Sequence, residues 1–301
     1  MKALSDRITV LRDGRHISTL AAADATEAQL VDFMLQRSGS VAAASTERAA
    51  ERRLGDTVLD IEGWKAGAVE VDRFQVRAGE IVGLIGLTGA GHFGFARSIY
   101  TGEGLISGTC RFKGEVLKGI HARTMQKRGV AFIPDQRMEN SLVADWDVRE
   151  NLAMVHPQHA TFGGSGVLSN TREVREASKI MSLLNVKAHS PSQMIKDLSG
   201  GNKQKVSIGK WLYGADERYS LIIFVEPTEG VDIGAKREIH GHLKRLAGQG
   251  TAIIVASSDL LEIGDVSDRV IPFVNRRASG EIDQGNFSEN RFISAMAGVL
   301  Q

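Results

Sequence analysis

The sequence has a single cysteine and few aromatic residues, and its positive and negative charges nearly cancel. Cys110 has no cysteine partner within the chain, so no internal disulfide bond is expected. The 37 Lys and Arg residues against 36 Asp and Glu residues give a formal net charge of +1. This balance excludes the strong positive field of a general nucleic-acid-binding protein, and we expect no nucleic-acid partner.

Long hydrophobic runs are absent too. The longest, such as Leu221–Val225 and Ala252–Ala256, are far shorter than the roughly 18 residues that predict a transmembrane helix. Residues 1–15 are charged, whereas a signal peptide needs a basic start followed by an apolar stretch. The sequence therefore predicts a cytoplasmic protein that does not itself cross a membrane.

The order of helical and strand-like patterns predicts the fold class. The 301 residues correspond to about two domains at roughly 150 residues each. Amphipathic helix spacing covers Arg172–Leu184 and Asn202–Leu212. Short apolar runs of strand character are Val58–Ile61, Ile81–Gly86, Val130–Ile133, Leu221–Phe224 and Ala252–Ala256. Such alternation is typical of an α/β fold with a mainly parallel sheet covered by helices.

A short internal repeat relates the two ends of the chain. Leu4-Ser5-Asp6-Arg7-Ile8 aligns with Val266-Ser267-Asp268-Arg269-Val270, and the same offset places Met34 on Met296. The alternative is chance similarity between two strand-then-helix endings. If the repeat is real, residues 1–36 are the tail of a preceding unit and residues 57–298 form a unit of the same kind. Residues 37–56, rich in Ser, Ala and charge, are predicted to be a linker.

A glycine-rich segment between an apolar strand and a helix predicted from about Phe93 to Tyr100 has the pattern of a phosphate-binding loop. Its glycines let backbone N–H groups converge on an anion at the start of a helix. The pattern requires Lys followed by Ser or Thr, but His92 and Phe93 occupy those positions. Losing the lysine removes a charge-assisted contact worth about 1.5–3 kcal/mol, and phenylalanine has no oxygen for Mg²⁺. A glycine-rich turn without a ligand is the alternative. The candidate binding residues are Gly86, Gly89, Ala90, Gly91, His92 and Phe93.

A second motif, LSGGN, comprises Leu198, Ser199, Gly200, Gly201 and Asn202 and precedes a helix rich in Lys and Gln. We predict that Ser199 caps this helix, because a serine oxygen there accepts a backbone N–H of the first turn. Its hydroxyl and the glycine N–H groups also present donors to an anion. Capping explains the serine alone, whereas the whole string indicates a binding function.

The LSGGN motif resembles the signature motif of ABC-transporter ATPases. Its asparagine form is similar to that of the ribose, galactose and xylose type of importer, in which two cassettes are fused in one polypeptide. The resemblance covers most of residues 57–298 as a second cassette, and residues 1–36 match the tail of a first. It implies a P-loop NTPase ABC cassette with a mainly parallel RecA-like core sheet, accessory β-strands and an α-helical subdomain at about 136–210. It also implies ATP and Mg²⁺ as cofactors, mainly at a site shared with a partner cassette.

The resemblance assigns roles to further residues. The glycine-rich loop matches the Walker A motif, and Asp135 stands at the glutamine position of the Q-loop. Glu226 stands at the catalytic carboxylate position, Asp232 in the D-loop, and Ser258 at the position of the switch histidine. Val225 replaces the Walker B aspartate that orients Mg²⁺ in the family. Because one lost transition-state donor can cost about 10²–10³ in rate, we expect negligible hydrolysis and no metal site at this loop.

An asymmetric pair of cassettes follows from the resemblance. In ABC dimers each nucleotide lies between the Walker A loop of one cassette and the signature motif of the other, so Ser199, Gly200 and Gly201 would serve the partner's site. The implied partners are a first cassette, fused or separate, the transmembrane permease subunits and, indirectly, a solute-binding protein. The implied location is the cytoplasmic face of the membrane. Trp146 is a candidate permease contact and Trp64 a candidate for stacking on adenine. The alternatives are a non-catalytic nucleotide-binding regulatory module and a non-functional remnant of a split gene.

Overall fold

The computed structural model describes residues 5–12, 15–25, 54–135, 141–157, 169–213 and 219–299. The strands are β1 (Arg7–Arg12), β2 (Arg15–Ala21), β3 (Thr57–Ala66), β4 (Val69–Arg77), β5 (Ile81–Gly86), β6 (Leu105–Phe112), β7 (Glu115–Val116), β8 (Val130–Ile133), β9 (Leu221–Val225), β10 (Ala252–Ala256), β11 (Arg269–Val274), β12 (Arg277–Ala278) and β13 (Ile282–Asp283). The α-helices are α1 (His92–Thr101), α2 (Ala122–Lys127), α3 (Val148–Ala153), α4 (Asn170–Leu183), α5 (Gly200–Leu212), α6 (Ile233–Gly248), α7 (Leu260–Val266) and α8 (Glu289–Met296).

One large sheet forms the centre of the structure. Its strands follow the order β7-β6-β3-β4-β12-β11-β5-β10-β9-β8, and β13 pairs with β11. Strands β11, β5, β10, β9 and β8 are mutually parallel, with Ile254 of β10 between Val82 and Ile223. Apart from Gly86, the residues of β5 and all those of β8, β9 and β10 are buried, as expected for parallel strands with covered faces. The predicted α/β class with a mainly parallel sheet is confirmed.

The other half of the sheet is antiparallel, where β3 pairs with both β4 and β6. β3 continues to Ala66, beyond the predicted end at Ile61, because polar and buried positions alternate along its second half. Trp64 lies in this half and is 1% exposed. Its Nε1 donates to the Ser98 hydroxyl at 3.0 Å. The side chain is therefore part of the core and is not available to stack on an adenine ring.

The loops that carry the sequence motifs follow the carboxyl ends of neighbouring strands. β5 leads to α1, β9 leads towards α6, and β10 leads to α7. In open parallel sheets such carboxyl ends meet at one edge, which is where ligands bind. Helices α3, α4 and α5 pack against one another, and α5 also contacts α6.

The hairpin of β1 and β2 forms a separate two-stranded sheet. Ile8, Ala22 and Ala25 make a small core of their own there. The predicted linker as far as residue 53, and the repeat position Met34, lie outside the described residues. Among the residues that are described, no helix is long and apolar enough to span a membrane.

Candidate functional site

The glycine-rich loop runs from the carboxyl end of β5 into α1. Gly89 (φ 81°) and Gly91 (φ 100°) adopt left-handed backbone conformations, which favour glycine. Gly86 is required for space, since a Cβ atom there would lie 2.7 Å from His92 Nδ1 and 3.1 Å from the Phe273 carbonyl oxygen. The first N–H groups of an α-helix have no acceptor inside the helix, so those of α1 can bind an anion held by the loop.

His92 occupies the lysine position of this loop and is buried. Its ring contacts Phe93 and Phe273, with ring centroids 4.0 and 6.4 Å away. Burial lowers the pKa of His92 from its ordinary value of 6.5 to about 4, so the side chain is neutral at pH 7. Neither ring nitrogen has a hydrogen-bond partner within the described parts of the chain. The residue therefore supplies no positive charge to the loop, but it retains one N–H donor without an acceptor.

Glu226 follows β9 and is tied to the segment after β10. Its Oε1 accepts a hydrogen bond from the Ser258 N–H at 2.8 Å, and Ser257 Oγ lies 3.3 Å from Oε2. Burial is the largest influence on this carboxyl group and raises its pKa. Glu226 also has φ of 50°, an uncommon conformation for a residue with a side chain. The structure thus places the predicted carboxylate and switch positions together, with the carboxylate already engaged by the switch segment.

A buried polar network that no sequence pattern predicts extends from this point to α6. Ser257 Oγ donates to Glu262 Oε2 at 2.6 Å, and Glu262 Oε1 lies 3.3 Å from His240 Nε2. The three side chains come from the loop after β10, from α7 and from α6. Because the partners are far apart in sequence, no local spacing indicates the network. The sequence around His240 is typical of a polar helix face, whereas the structure buries this residue.

Asp135 is the last described residue after β8. Its Oδ1 accepts from Arg97 of α1 at 3.2 Å. The Q-loop position is therefore joined to the helix that follows the phosphate loop. Gln136 and Arg137, the next residues along the chain, lie outside the described residues.

The LSGGN segment forms the start of α5, as predicted. Ser199 is the N-cap residue and accepts from the Asn202 N–H at 3.5 Å and from Asn202 Nδ2 at 2.9 Å. Asn202 Oδ1 in turn accepts from the Lys187 N–H at 2.8 Å. Leu198 is buried, whereas Ser199 is exposed. Leucine thus anchors the segment and the serine faces outward at a helix N-terminus.

The same segment packs against the start of α6, where Asp232 lies. Asp232 caps α6 by accepting from the Ala235 N–H at 2.9 Å. A Cβ atom on Gly201 would lie 2.7 Å from the Ala235 Cβ and 3.6 Å from Asp232 Oδ2. Gly201 is therefore required for this close approach of α5 to α6. The predicted signature and D-loop residues form one packed unit.

A family model described as ABC transporter matches residues 69–229, more than half of the chain. The chain belongs to the ABC transporter family. This ABC cassette is 37% identical over 299 residues to a protein named ribose import ATP-binding protein from Bacillus cereus, covering 98% of the chain and 58% of the relative. It is 36% identical over 293 residues to a protein named arabinose import ATP-binding protein from Burkholderia pseudomallei, covering 97% of the chain and 57% of the relative. The chain thus spans somewhat more than half the length of these curated relatives.

Solved ABC cassettes share the fold. A nucleotide-free ATP-binding cassette from an ABC transporter superposes with a TM-score of 0.65 at 18% identity, covering 82% of this chain and 99% of the other. A dimeric bacterial ABC transporter cassette gives a TM-score of 0.64 at 17% identity, covering 76% of this chain and 100% of the other. The predicted ABC cassette fold is confirmed.

The family binds ATP with Mg²⁺. The residues around this cassette's own loop suit the phosphate groups of ATP better than they suit Mg²⁺. The glycine backbone and the start of α1 suit a phosphate group. Mg²⁺ prefers oxygen ligands, but Phe93 and the buried Val225 offer none. This loop therefore does not fit Mg²⁺ in the manner of a complete cassette.

Proposed function

We propose that this cassette is a nucleotide-binding component of an ABC importer for a sugar or similar small hydrophilic solute. In this role it donates its signature motif to the ATP site of a partner cassette. The observation that carries the proposal is the contrast between an ordered LSGGN segment and a loop without a lysine or a metal ligand. Ser199, Gly200 and Gly201 would contact the nucleotide bound by the partner, and the loop of this chain would be a weak or structural site.

The names of the relatives support the solute class. Both curated relatives are named import ATP-binding proteins, one for ribose and one for arabinose. Pentoses are therefore the first solutes to test. Selection of the solute would rest with the permease and the solute-binding protein.

The β1–β2 hairpin supports the tandem arrangement. Strand β1 begins at Arg7 after Ser5-Asp6, and β11 begins at Arg269 after Ser267-Asp268. Each of these strands pairs antiparallel with the strand that follows it along the chain. The equivalent secondary structure at equivalent repeat positions supports residues 1–36 as the tail of a first cassette, with residues 37–56 as the linker and 57–298 as the second cassette.

Exposed apolar residues beside the motifs support pairing with another cassette. Leu87 in the phosphate loop, Ile233 after Asp232, and Leu261 after the switch segment are 58%, 44% and 70% exposed. Large apolar side chains exposed beside polar functional residues are typical of interaction surfaces. Trp146, 41% exposed ahead of α3, is the proposed permease contact, and it would place the cassette at the cytoplasmic face of the membrane.

In the proposed pair, each residue group of this chain has a separate task. Ser199 and the N–H groups of Gly200 and Gly201 would donate to the phosphate oxygens of the partner's nucleotide. Asp232 would transmit the state of that contact to α6 through its cap. Glu226 and Ser258, bound to each other, would hold the switch segment still. ATP and Mg²⁺ would supply the phosphoryl chemistry at the partner's loop.

The test is ATP hydrolysis by the purified chain alone and after mixing with a first cassette from the same importer. We expect no turnover alone, turnover on mixing, and loss of that turnover with Ser199→Arg, because the arginine fills the donor position. Ser192→Arg, an exposed serine in the loop before α5, is the matched control and is expected to behave as the wild type. Turnover that survives Ser199→Arg would refute signature donation. No turnover from any mixture would instead favour a regulatory module or a remnant.

A further inference from the structure

An arginine lies beside the phosphate loop at a place that the family motifs do not describe. Asn275 and Arg276 form the turn between β11 and β12, with φ of 49° and 66°. A Cβ atom on Gly91 would lie 3.4 Å from the Arg276 Cα and 3.6 Å from its Cβ. The turn therefore contacts the loop at Gly91, the residue that caps α1, and the long Arg276 side chain begins beside it.

The turn is fixed in this position by contacts that leave the Arg276 guanidinium unused. The Arg276 carbonyl oxygen accepts from the Glu70 N–H at 2.9 Å. The Glu70 carboxylate is paired with Arg277 and, at 2.9 Å, with Lys65. Arg276 is exposed, and its guanidinium forms no hydrogen bond or ion pair with any residue in the described ranges. Contacts with neighbouring residues therefore explain the position of the turn, but they do not pair the positive charge of Arg276.

His92 gives independent evidence that a ligand belongs in the loop. The side chain is 2% exposed, and both ring nitrogens are without a partner among the described residues. The ring lies against Gly86 at the start of the loop, and a Cβ atom on Gly86 would also meet Ala90. Buried polar groups in native proteins are almost always hydrogen-bonded, so such a pair of nitrogens indicates a missing partner. Both nitrogens are enclosed in this structure, so the ring would have to turn toward the loop for an anion held there to accept the imidazole N–H.

We propose that Arg276 supplies the cationic contact for the phosphate groups of a nucleotide in this loop, beside His92 as a neutral donor, so that nucleotide binds here without Mg²⁺. The inference deepens the proposed function, because it rests on the loop being a nucleotide site. Arg97 does not take this part, since it is paired with Asp135. Guanidinium groups suit phosphate because their N–H groups match its oxygens in pairs. A guanidinium from the β11–β12 turn thus replaces the lysine and the metal together.

The test is equilibrium binding of ATP and ADP to the purified full chain by isothermal titration calorimetry, in EDTA and in Mg²⁺. We expect the wild type to bind in EDTA, with little gain on adding Mg²⁺. Arg276→Gly should weaken binding about 10- to 100-fold, the loss expected for one charge-assisted contact. Arg276→Lys should retain most of the affinity. Arg277→Gln, the matched control at the next position, should change the affinity by less than about threefold, because exposed ion pairs contribute little.

Arg276→Gly is expected to fold, because glycine adopts a positive φ without strain, and a thermal melt checks this. Equal affinity of Arg276→Gly and wild type would overturn the proposal. Absence of nucleotide binding to the wild type, or binding that requires Mg²⁺, would overturn it as well. These failures are distinguishable from failure of signature donation, which is measured at the partner's site through Ser199.

Discussion

Because Gly201 packs closely against α6, we expect Gly201→Ala to destabilise the folded chain. The added methyl group would lie 2.7 Å from the Ala235 Cβ, a distance at which one of the two helices has to move. Overpacking of this kind costs about 1–3 kcal/mol. Part of the cost is offset by the higher helix propensity of alanine, which is up to about 1 kcal/mol. We expect the free energy of unfolding to fall by about 1–2 kcal/mol.

Gly241 provides the matched control, because it lies within α6 and a Cβ atom there meets nothing within 4 Å. Gly241→Ala is expected to stabilise the chain by about 0.5–1 kcal/mol through helix propensity alone. The assay is urea unfolding followed by tryptophan fluorescence, for which the buried Trp211 in α5 is a local reporter. Ala235→Gly should rescue Gly201→Ala, with a coupling energy of about 1–2 kcal/mol in a double-mutant cycle. If Gly201→Ala and Gly241→Ala are equally stable, the packing argument is wrong.

Two further predictions concern buried titratable groups. His92→Leu should raise the free energy of unfolding by about 1–3 kcal/mol at pH 7, because it removes two buried nitrogens without partners. The pKa of His92 is lowered from 6.5 to about 4, so between these values only the unfolded chain binds the proton. The free energy of unfolding of the wild type should therefore fall as the pH is lowered through this interval, and that of the variant should fall less. Parallel pH profiles of the two proteins would contradict this. Lys210 donates to the Ser141 carbonyl oxygen at 2.5 Å, and burial lowers its pKa from 10.5 to about 8. Because the unfolded chain alone binds that proton between pH 8 and 10.5, wild-type stability should rise with pH in this interval. Urea unfolding of Lys210→Met should lack the rise, and a rise that persists would refute the assignment to Lys210.

The sequence predicted the buried strands well because their signal is local. Ile81–Gly86, Val130–Ile133 and Ala252–Ala256 agree with the structure at both ends. Strands covered on both faces are continuous apolar runs, and their ends coincide with a change of composition. The antiparallel β3 was predicted too short, since its alternating second half has polar residues on one face. The N-cap at Ser199 was also predicted correctly, because capping depends on residues within one helical turn.

Contacts between segments that are distant along the chain could not be predicted from the sequence. Arg276 contacts the loop because the β11–β12 turn is hydrogen-bonded to β4. Trp64 is enclosed because α1 packs on β3, where Ser98 accepts its Nε1 hydrogen bond. The network of Ser257, Glu262 and His240 depends likewise on the packing of α7 on α6. These features follow from the tertiary fold, whereas a motif records only neighbours along the chain.

The phosphate loop and the signature segment are supported by different parts of the molecule. The loop rests on the sheet, where His92 meets Phe273 and Gly91 meets Val69. The signature rests on α6 through Gly201 and Ala235. A substitution under the loop therefore leaves the support of the signature untouched. If the signature serves a partner cassette, as proposed above, a cassette built in this way can lose residues at its own loop and still support hydrolysis at the partner's site.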